Sequence, residues 1–396
     1  MKRKLSVLLS LLLSSTILLT SCVTKNTADS SKTNTNSDVI KIGVMEPITG
    51  ANAAGGALEL EGIKLANKLY PEVLGKKVEL VTVDNKSEKV EAANAANRLV
   101  DKEKVTAIVG SWGSSLSMAA GDTIKNAKVP AIGTSCTNPL VTKGNDFYFR
   151  VCFIDPFQGT VMANYAFNKL GAKKVAIIQE ISNDYAVGLA KYFKDAFIKL
   201  TGDPNSIVTI TNYNTGDQDF SGQLTTVKSK NPDLIFAPGN FTESALLIKQ
   251  ARQLGMTTKF IGGDTWETPE FISIGKEAVE GATFSTFFAE ELFKGKGNNQ
   301  MTDETTKFLT AFRKEYNHEP AAVAALGYDA YILALDAIKR ANSTDTVKVR
   351  DAIAKTKDFP GAAGKITLDE NGDAVKFAVI KTVKDGKFTY LDIVNP

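Results

Sequence analysis

The chain has 396 residues, with 47 lysines and arginines against 44 aspartates and glutamates, one histidine and three cysteines. A formal net charge of +3, with basic residues scattered among acidic ones, gives no support to nucleic-acid binding. A single histidine and few, separated cysteines offer neither a metal-ligand cluster nor a disulfide framework.

Lys2, Arg3 and Lys4 precede an apolar segment from Leu5 to Leu19, which reads as an export signal and is too short for a membrane span. It ends in Leu19-Thr20-Ser21-Cys22, a match to the lipobox of bacterial lipoproteins. Residues 1–21 are therefore expected to be removed and Cys22 to be lipidated, anchoring the protein to the outer face of the cell membrane. Residues 23–38, VTKNTADSSKTNTNSD, bury too little apolar surface to fold, so residues 22–38 read as lipid anchor and flexible tether.

The remaining length exceeds what one core usually supports and predicts two lobes. From Val39 onward, short apolar runs alternate with longer amphipathic segments, the pattern of a parallel sheet covered by helices. VIKIGVM, KVELVTV, VTAIVG and VPAIG predict strands. Leu58, Gly62, Leu65 and Leu69 predict one helix face, and Val90, Ala93, Asn97 and Val100 another. The alternation then restarts with KKVAIIQ, SIVTITNY, DLIFAPG and KFIGGD, separated by helices around 185–200, 221–230 and 242–254. The strand GATFSTFF precedes three further helices over 305–316, 321–340 and 347–355. Asn371-Gly372 and Asp385-Gly386 predict hairpin turns near the end. The expected fold is α/β: two doubly wound, Rossmann-like lobes joined by a three-segment hinge. Lobe 1 comprises residues 39–150 plus about 285–362, and lobe 2 residues 151–284 plus about 363–396.

Catalytic machinery is not evident. His318, in EYNHEP, suits a helix-end cation better than a triad member. Neither GxxxxGK[ST] nor GxGxxG after the first strand is present, so no nucleotide cofactor is indicated. Cys136 and Cys152 either pair or pack as free thiols.

Polar clusters do sit at strand ends, where doubly wound sheets bind ligands. Ser114 and Ser115, in SWGSSLSMAAGD, stand where a helix begins. Free N–H groups, hydroxyls and the positive dipole end there attract a carboxylate, or the serines merely cap the helix. In GTSCTNP, Ser135 and Thr137 can supply a carbonyl acceptor and a hydroxyl. Asp264, after KFIGG, can receive an ammonium group or cap the segment at Thr265, while Tyr185 can close over a small ligand.

These segments, with KIGVMEPITG, IVGSWGSSLSMAA, PAIGTSCTNPLVT, FYFRVCFIDPFQG, NDYAVGLA and GDQDFSGQLTTVKSKNPDLIFAPG in order, resemble the type I periplasmic binding proteins of branched-chain amino acid ABC transporters. The resemblance runs from about Ile40 to the carboxy terminus. It implies that Ser114 and Thr137 hold an α-carboxylate, that the Ser135 carbonyl and Asp264 hold the ammonium, and that Tyr185 lies over the ligand. It also implies a monomer that delivers its amino acid to ABC permease subunits without enzymatic turnover or cofactor. The family's tyrosines near the first helix and after DLIFAPG correspond here to Gly55 and Asn240, with Trp112 and Trp266 adding bulk nearby. That leaves room for another amino acid, an amide or a small peptide. A sensor feeding a membrane receptor would use the same cleft.

Overall fold

The structure, a computed structural model, describes residues 39–293 and 302–396; the export segment, Cys22 and the tether lie outside these. The expected alternation is present as two mixed sheets. In chain order the first part contains β1 (Val39–Glu46), α1 (Ala53–Leu69), β2 (Glu72–Val73), β3 (Lys76–Asp84), α2 (Lys89–Asn97), β4 (Ala107–Val109), α3 (Ser114–Ala127), β5 (Ala131–Gly133) and β6 (Tyr148–Arg150). These strands form a sheet in the order β2-β3-β1-β4-β5-β6, parallel except for the β2–β3 pair. The order reverses at β1, so the crevice beyond its carboxyl end, next to β4, is where such a sheet offers a binding site.

The second part contains α4 (Asp155–Asn164), β7 (Val175–Glu180), α5 (Asp184–Thr201), β8 (Ile207–Tyr213), α6 (Ser221–Ser229), β9 (Leu234–Phe236), α7 (Phe241–Gln253), β10 (Lys259–Gly262), α8 (Pro269–Gly275) and β11 (Thr283–Thr286). Three helices follow, α9 (Asp303–Tyr316), α10 (Ala322–Ala341) and α11 (Thr346–Ala354), then the small pair β12 (Phe359–Gly361) and β13 (Gly364–Ile366), and finally β14 (Ala378–Lys384) and β15 (Lys387–Val394). The second sheet runs β15-β14-β11-β10-β9-β7-β8 and reverses at β7. One core is continuous through both, from Ile42 and Val44 past Phe149 and Phe153 to Ile178 and Ile235.

Helix α10 returns to the first sheet and packs along α1. At their crossing the backbones touch: a Cβ on Gly62 would lie 1.8 Å from the Ala324 carbonyl, and one on Gly327 2.3 Å from the Glu59 carbonyl. Only glycine permits that approach. Leu65 and Gly62 are buried as the helical spacing predicts, while Leu58 and Leu69 are half-buried.

Two local expectations differ from the structure. In α2 the inward face is Ala92, Ala95 and Ala96, continued by Leu99, whereas Val90 is 73% exposed. The valines at 90 and 100 suggest the wrong phase because alanines fill the narrow gap against α3. A wider π-type turn over Arg98–Glu103 then shifts the register. Asn371-Gly372 closes only an isolated bridge between Leu368 and Ala374, not a full hairpin. Asp369 organises that loop instead, accepting from the amides of Asn371 and Asp373 at 2.9 Å each. Asp385-Gly386 does turn β14 into β15, both residues having the positive φ that such a turn requires. Cys136 and Cys152 are buried and unpaired.

Candidate functional site

The loop 133–139 leaves β5 and is fixed from several sides. Thr134 donates to Glu59 Oε2 at 2.5 Å. The Asn138 side chain accepts from the Leu140 amide at 2.9 Å, capping a short 3-10 turn that starts at Pro139. Arg150, fully buried at the end of β6, holds the same loop through its guanidinium. Its Nη1 donates to the carbonyls of Cys136 at 2.5 Å and Asn138 at 2.9 Å, its Nη2 to Thr142 Oγ1 at 2.7 Å, and its Nε lies 2.7 Å from Asp373. A planar fork of donors suits this arrangement in a way lysine does not.

Beside the loop, α3 begins at Ser114 with Gly113 at its cap and no side chain satisfying its first amides. These free N–H groups and the dipole's positive end meet the cleft. Ser114 is buried and its Oγ accepts from the Asn138 amide at 3.1 Å, tying the helix start to the loop. Behind both lie two buried carboxyls. Glu46, at the end of β1, accepts from the Trp112 amide at 2.8 Å. Burial, and then the neighbouring Glu59, push Glu46 well above the usual carboxylate range, and burial pushes Glu59 up to about 7. At neutral pH the pair therefore retains a proton, so this wall does not carry two full negative charges.

The opposite wall comes from the second sheet. Tyr185, on the first turn of α5, donates to Asp264 Oδ1 at 2.9 Å, and Gln158 Nε2 donates to the same oxygen at 2.7 Å. Burial pushes Asp264 up to about 6, with Gln158 and Tyr185 holding it back. Asn240 anchors its amide on Glu180 at 2.9 Å and reaches across to Asn52 Oδ1, also at 2.9 Å. Asp184 joins the amino ends of α3 and α5: it accepts from Ser115 Oγ at 2.8 Å, its amide donates back to Ser115 at 3.0 Å, and Lys89 pairs with it at 2.7 Å.

Between these walls is a cleft of about 390 Å³, and Trp112, Ser114, Ser135, Tyr185 and Asn240 are among its lining. Thr137 and Asp264 lie one layer deeper, at 0% and 1% exposure. Trp112 occupies the space in front of Gly55, where a Cβ would meet the indole at 2.4 Å, and it packs edge-on against Phe241. The missing side chain at Gly55 and the large one at 112 are thus one substitution in space. Trp266 does not border the cleft. It stacks on Phe271 at 4.8 Å inside the second half's core. The expectation that it adds bulk near the site is corrected accordingly: the short turn after Asp264 directs the indole beneath β10, where a Cβ on Gly262 would meet it at 2.3 Å.

A family model described as periplasmic binding protein matches residues 39–387. The chain belongs to the periplasmic binding protein family. This binding protein is similar to the leucine binding protein LivK of Thermotoga maritima, with 45% identity and a TM-score of 0.85 over 90% of this chain and 99% of that one. It is also similar to the branched-chain amino acid transporter substrate binding protein LivJ of Streptococcus pneumoniae, solved with isoleucine, with 35% identity and a TM-score of 0.82 over 90% and 100% of the two chains. The Leu/Ile/Val-binding protein BraC3 of Rhizobium johnstonii is 32% identical over 343 residues, 84% of this chain and 88% of that protein.

His318 of this binding protein follows α9, where its Nε2 lies 3.4 Å from Glu61, and it does not border the cleft described above. Among the described residues no group of three or more His, Cys, Asp or Glu side chains is placed to hold a metal, and no helix is long and apolar enough to cross a membrane. Sequence reading missed Glu46, Glu59, Asp155, Gln158 and Asp184. For Glu59 the one available signal was an acid on the apolar face of α1.

Proposed function

We propose that this periplasmic binding protein is the extracytoplasmic, substrate-binding component of an ABC transporter and captures a branched-chain amino acid in the cleft between its two sheets. One observation carries the reading. Ser114, Ser135 and the free amides at the start of α3 line the cleft opposite the phenol of Tyr185, with Thr137 behind the first set and Asp264, hydrogen-bonded to Tyr185, behind the second. The first set suits an α-carboxylate, and the Ser135 carbonyl with Asp264 suits an α-ammonium. Trp112 and Tyr185 offer apolar faces to the side chain, and Asn240 closes the rim. The similarity to LivK and to the isoleucine-bound LivJ supports an aliphatic ligand.

The magnitudes are sufficient. A charge-assisted hydrogen bond contributes about 1.5–3 kcal/mol, and four to six of them offset the ordering costs of binding. For a ligand of about nine heavy atoms, a ceiling near 1.5 kcal/mol per atom allows micromolar or tighter affinity.

The halves act as lobes, residues 39–150 plus about 285–362 and residues 151–284 plus about 363–396, that close about crossings near 149–153, 283–287 and 361–365. The closed monomer docks on permease subunits, and Cys22 carries the lipid anchor. Replacing Cys22 by serine should release the protein into the medium; retention in the membrane fraction would remove the anchor. The cleft is tested by calorimetric titration of the purified protein with leucine, isoleucine and valine beside the other common amino acids, amides and short peptides. Saturable binding of the branched-chain group is expected, and failure of every amino acid to bind would overturn the reading.

A further inference from the structure

Two asparagines at the rim of the cleft depart from their usual role. Asn52 immediately precedes α1 and Asn240 immediately precedes α7, a position where an asparagine side chain ordinarily accepts from the amides of the first turn. Neither does so. Both line the cleft instead, and Asn240 Nδ2 donates to Asn52 Oδ1 at 2.9 Å.

That bond leaves a remainder. Two facing carboxamides can exchange two hydrogen bonds, one in each direction, yet this pair makes one. Asn52 Nδ2, a donor, and Asn240 Oδ1, an acceptor, have no partner among the described residues, although Asn240 is only 5% exposed. Turning both amides over exchanges the atoms and still leaves one donor beside one acceptor. Neighbouring rim groups are already engaged. Ser87 Oγ accepts from the Asn52 amide and donates to the Thr49 carbonyl, Thr215 Oγ1 donates to Glu180, and the Asn183 side chain donates to Glu180 while accepting from the Tyr185 amide.

The open pair stands beside the indole that faces the ligand's side chain. Phe241, the residue after Asn240, packs edge-on against Trp112 at 6.4 Å, and Asn52 Nδ2 lies 3.9 Å from where a Cβ on Gly113 would stand. A donor and an acceptor side by side match a primary carboxamide, which presents one of each. A carboxylate brings a second acceptor against Asn240 Oδ1. A thioether or alkyl end of the same reach displaces water from both asparagines without replacing its bonds, which lowers affinity at a site built to hydrogen-bond.

We propose that Asn52 and Asn240 form a carboxamide subsite, so that the cleft takes, beside branched aliphatic amino acids, an amino acid whose side chain ends in a primary amide, the glutamine type. The inference rests on the amino acid reading above and extends it to the far end of the ligand. The shorter side chain of leucine leaves the pair to water, and glutamine bonds to it.

The test is calorimetry of the purified protein with glutamine, glutamate, methionine and leucine. Glutamate and methionine match glutamine in length but not in donor and acceptor. Wild type should bind glutamine about tenfold or more tightly than either, the effect of one hydrogen bond. Glutamine bound no tighter than either of them, with leucine still bound, would overturn the inference and leave the amino acid reading intact. Binding of none of these would count against the amino acid reading itself and remove the subsite with it. Asn240→Leu should weaken glutamine about tenfold more than it weakens leucine. Equal losses would mean that the asparagines act only as a bond between the halves, and would overturn the subsite. Should that variant not fold, Asn52→Asp decides: it keeps an oxygen for Asn240 and replaces the free donor by an acceptor, so the ratio of glutamine to leucine affinity should fall by a similar factor. An unchanged ratio overturns the inference.

Discussion

The two walls of the cleft are built on opposite plans. On the first sheet's side the loop and the helix start are each held by named partners. The loop 133–139 is gripped by Arg150, Ser114 is tied to Asn138, and the buried pair Glu46 and Glu59 retains a proton. On the second sheet's side the acids are short of partners: Asp264 concentrates two donors on one oxygen, and Asp155 has none. The difference teaches where specificity resides. A surface of held hydroxyls and amides can receive a carboxylate without rearrangement, whereas a buried acid such as Asp264, pushed up to about 6 by burial, is most readily ionised beside a cation.

The strongest challenge to the finished wall is to remove its clamp. Arg150→Met keeps bulk but strands Asp373 and two loop carbonyls, and breaking a buried pair in this way costs about 3–5 kcal/mol. Urea unfolding should show that loss. An unchanged midpoint would mean that the loop holds itself.

On the acidic wall, Asp264→Ala should weaken leucine binding by about 2 kcal/mol or more in calorimetry. In wild type, affinity should fall as pH drops through about 6, where Asp264 takes up a proton. A flat profile between pH 5 and 7 would place the ammonium elsewhere.

The retained proton provides a comparable test on the first wall. The folded value of Glu59, about 7, lies above the ordinary value of about 4.3. Its contribution to stability is therefore complete below that ordinary value and is lost as pH rises through about 7. The ligand-free protein should melt lower at pH 8 than at pH 5. Glu59→Gln should flatten the trend by on the order of 2 kcal/mol, from the roughly 1.4 kcal/mol carried by each pH unit. A variant with the wild-type slope would assign the proton to another group.

The smallest effect is expected where the walls meet. Ser115→Ala removes one hydroxyl from the junction at Asp184 and should cost about 0.5–1.5 kcal/mol. It should be read as a few-fold faster ligand release in stopped-flow fluorescence; an unchanged release rate would separate this contact from closure.

Much of this was legible in the residue pattern. Apolar runs marked the central strands because both faces of a parallel sheet are covered, and Ser114, Ser135, Tyr185 and Asn240 fall together because all stand at carboxyl ends of strands or starts of helices. Three-dimensional coincidence was not legible. Glu46 and Glu59 meet only because α1 folds back over β1, and Arg150 reaches residues 136–142 and Asp373 only through a crossover. Asp155 reads as an ordinary helix-start acid until its burial is known. The phase of α2 escaped because alanine carries little periodic signal, and Trp266 because a turn decides which way it points.

The glycine seam between α1 and α10 has a consequence for how the molecule is made. Ile63 and Ala66, fully buried on α1, lie near a seam whose other side is encoded some 260 residues later. A nascent chain stopping after β6 has every strand of the first sheet but lacks that cover. Completion of the amino-terminal half therefore waits on synthesis of the carboxy-terminal third, and a fragment spanning residues 39–150 alone should aggregate instead of folding.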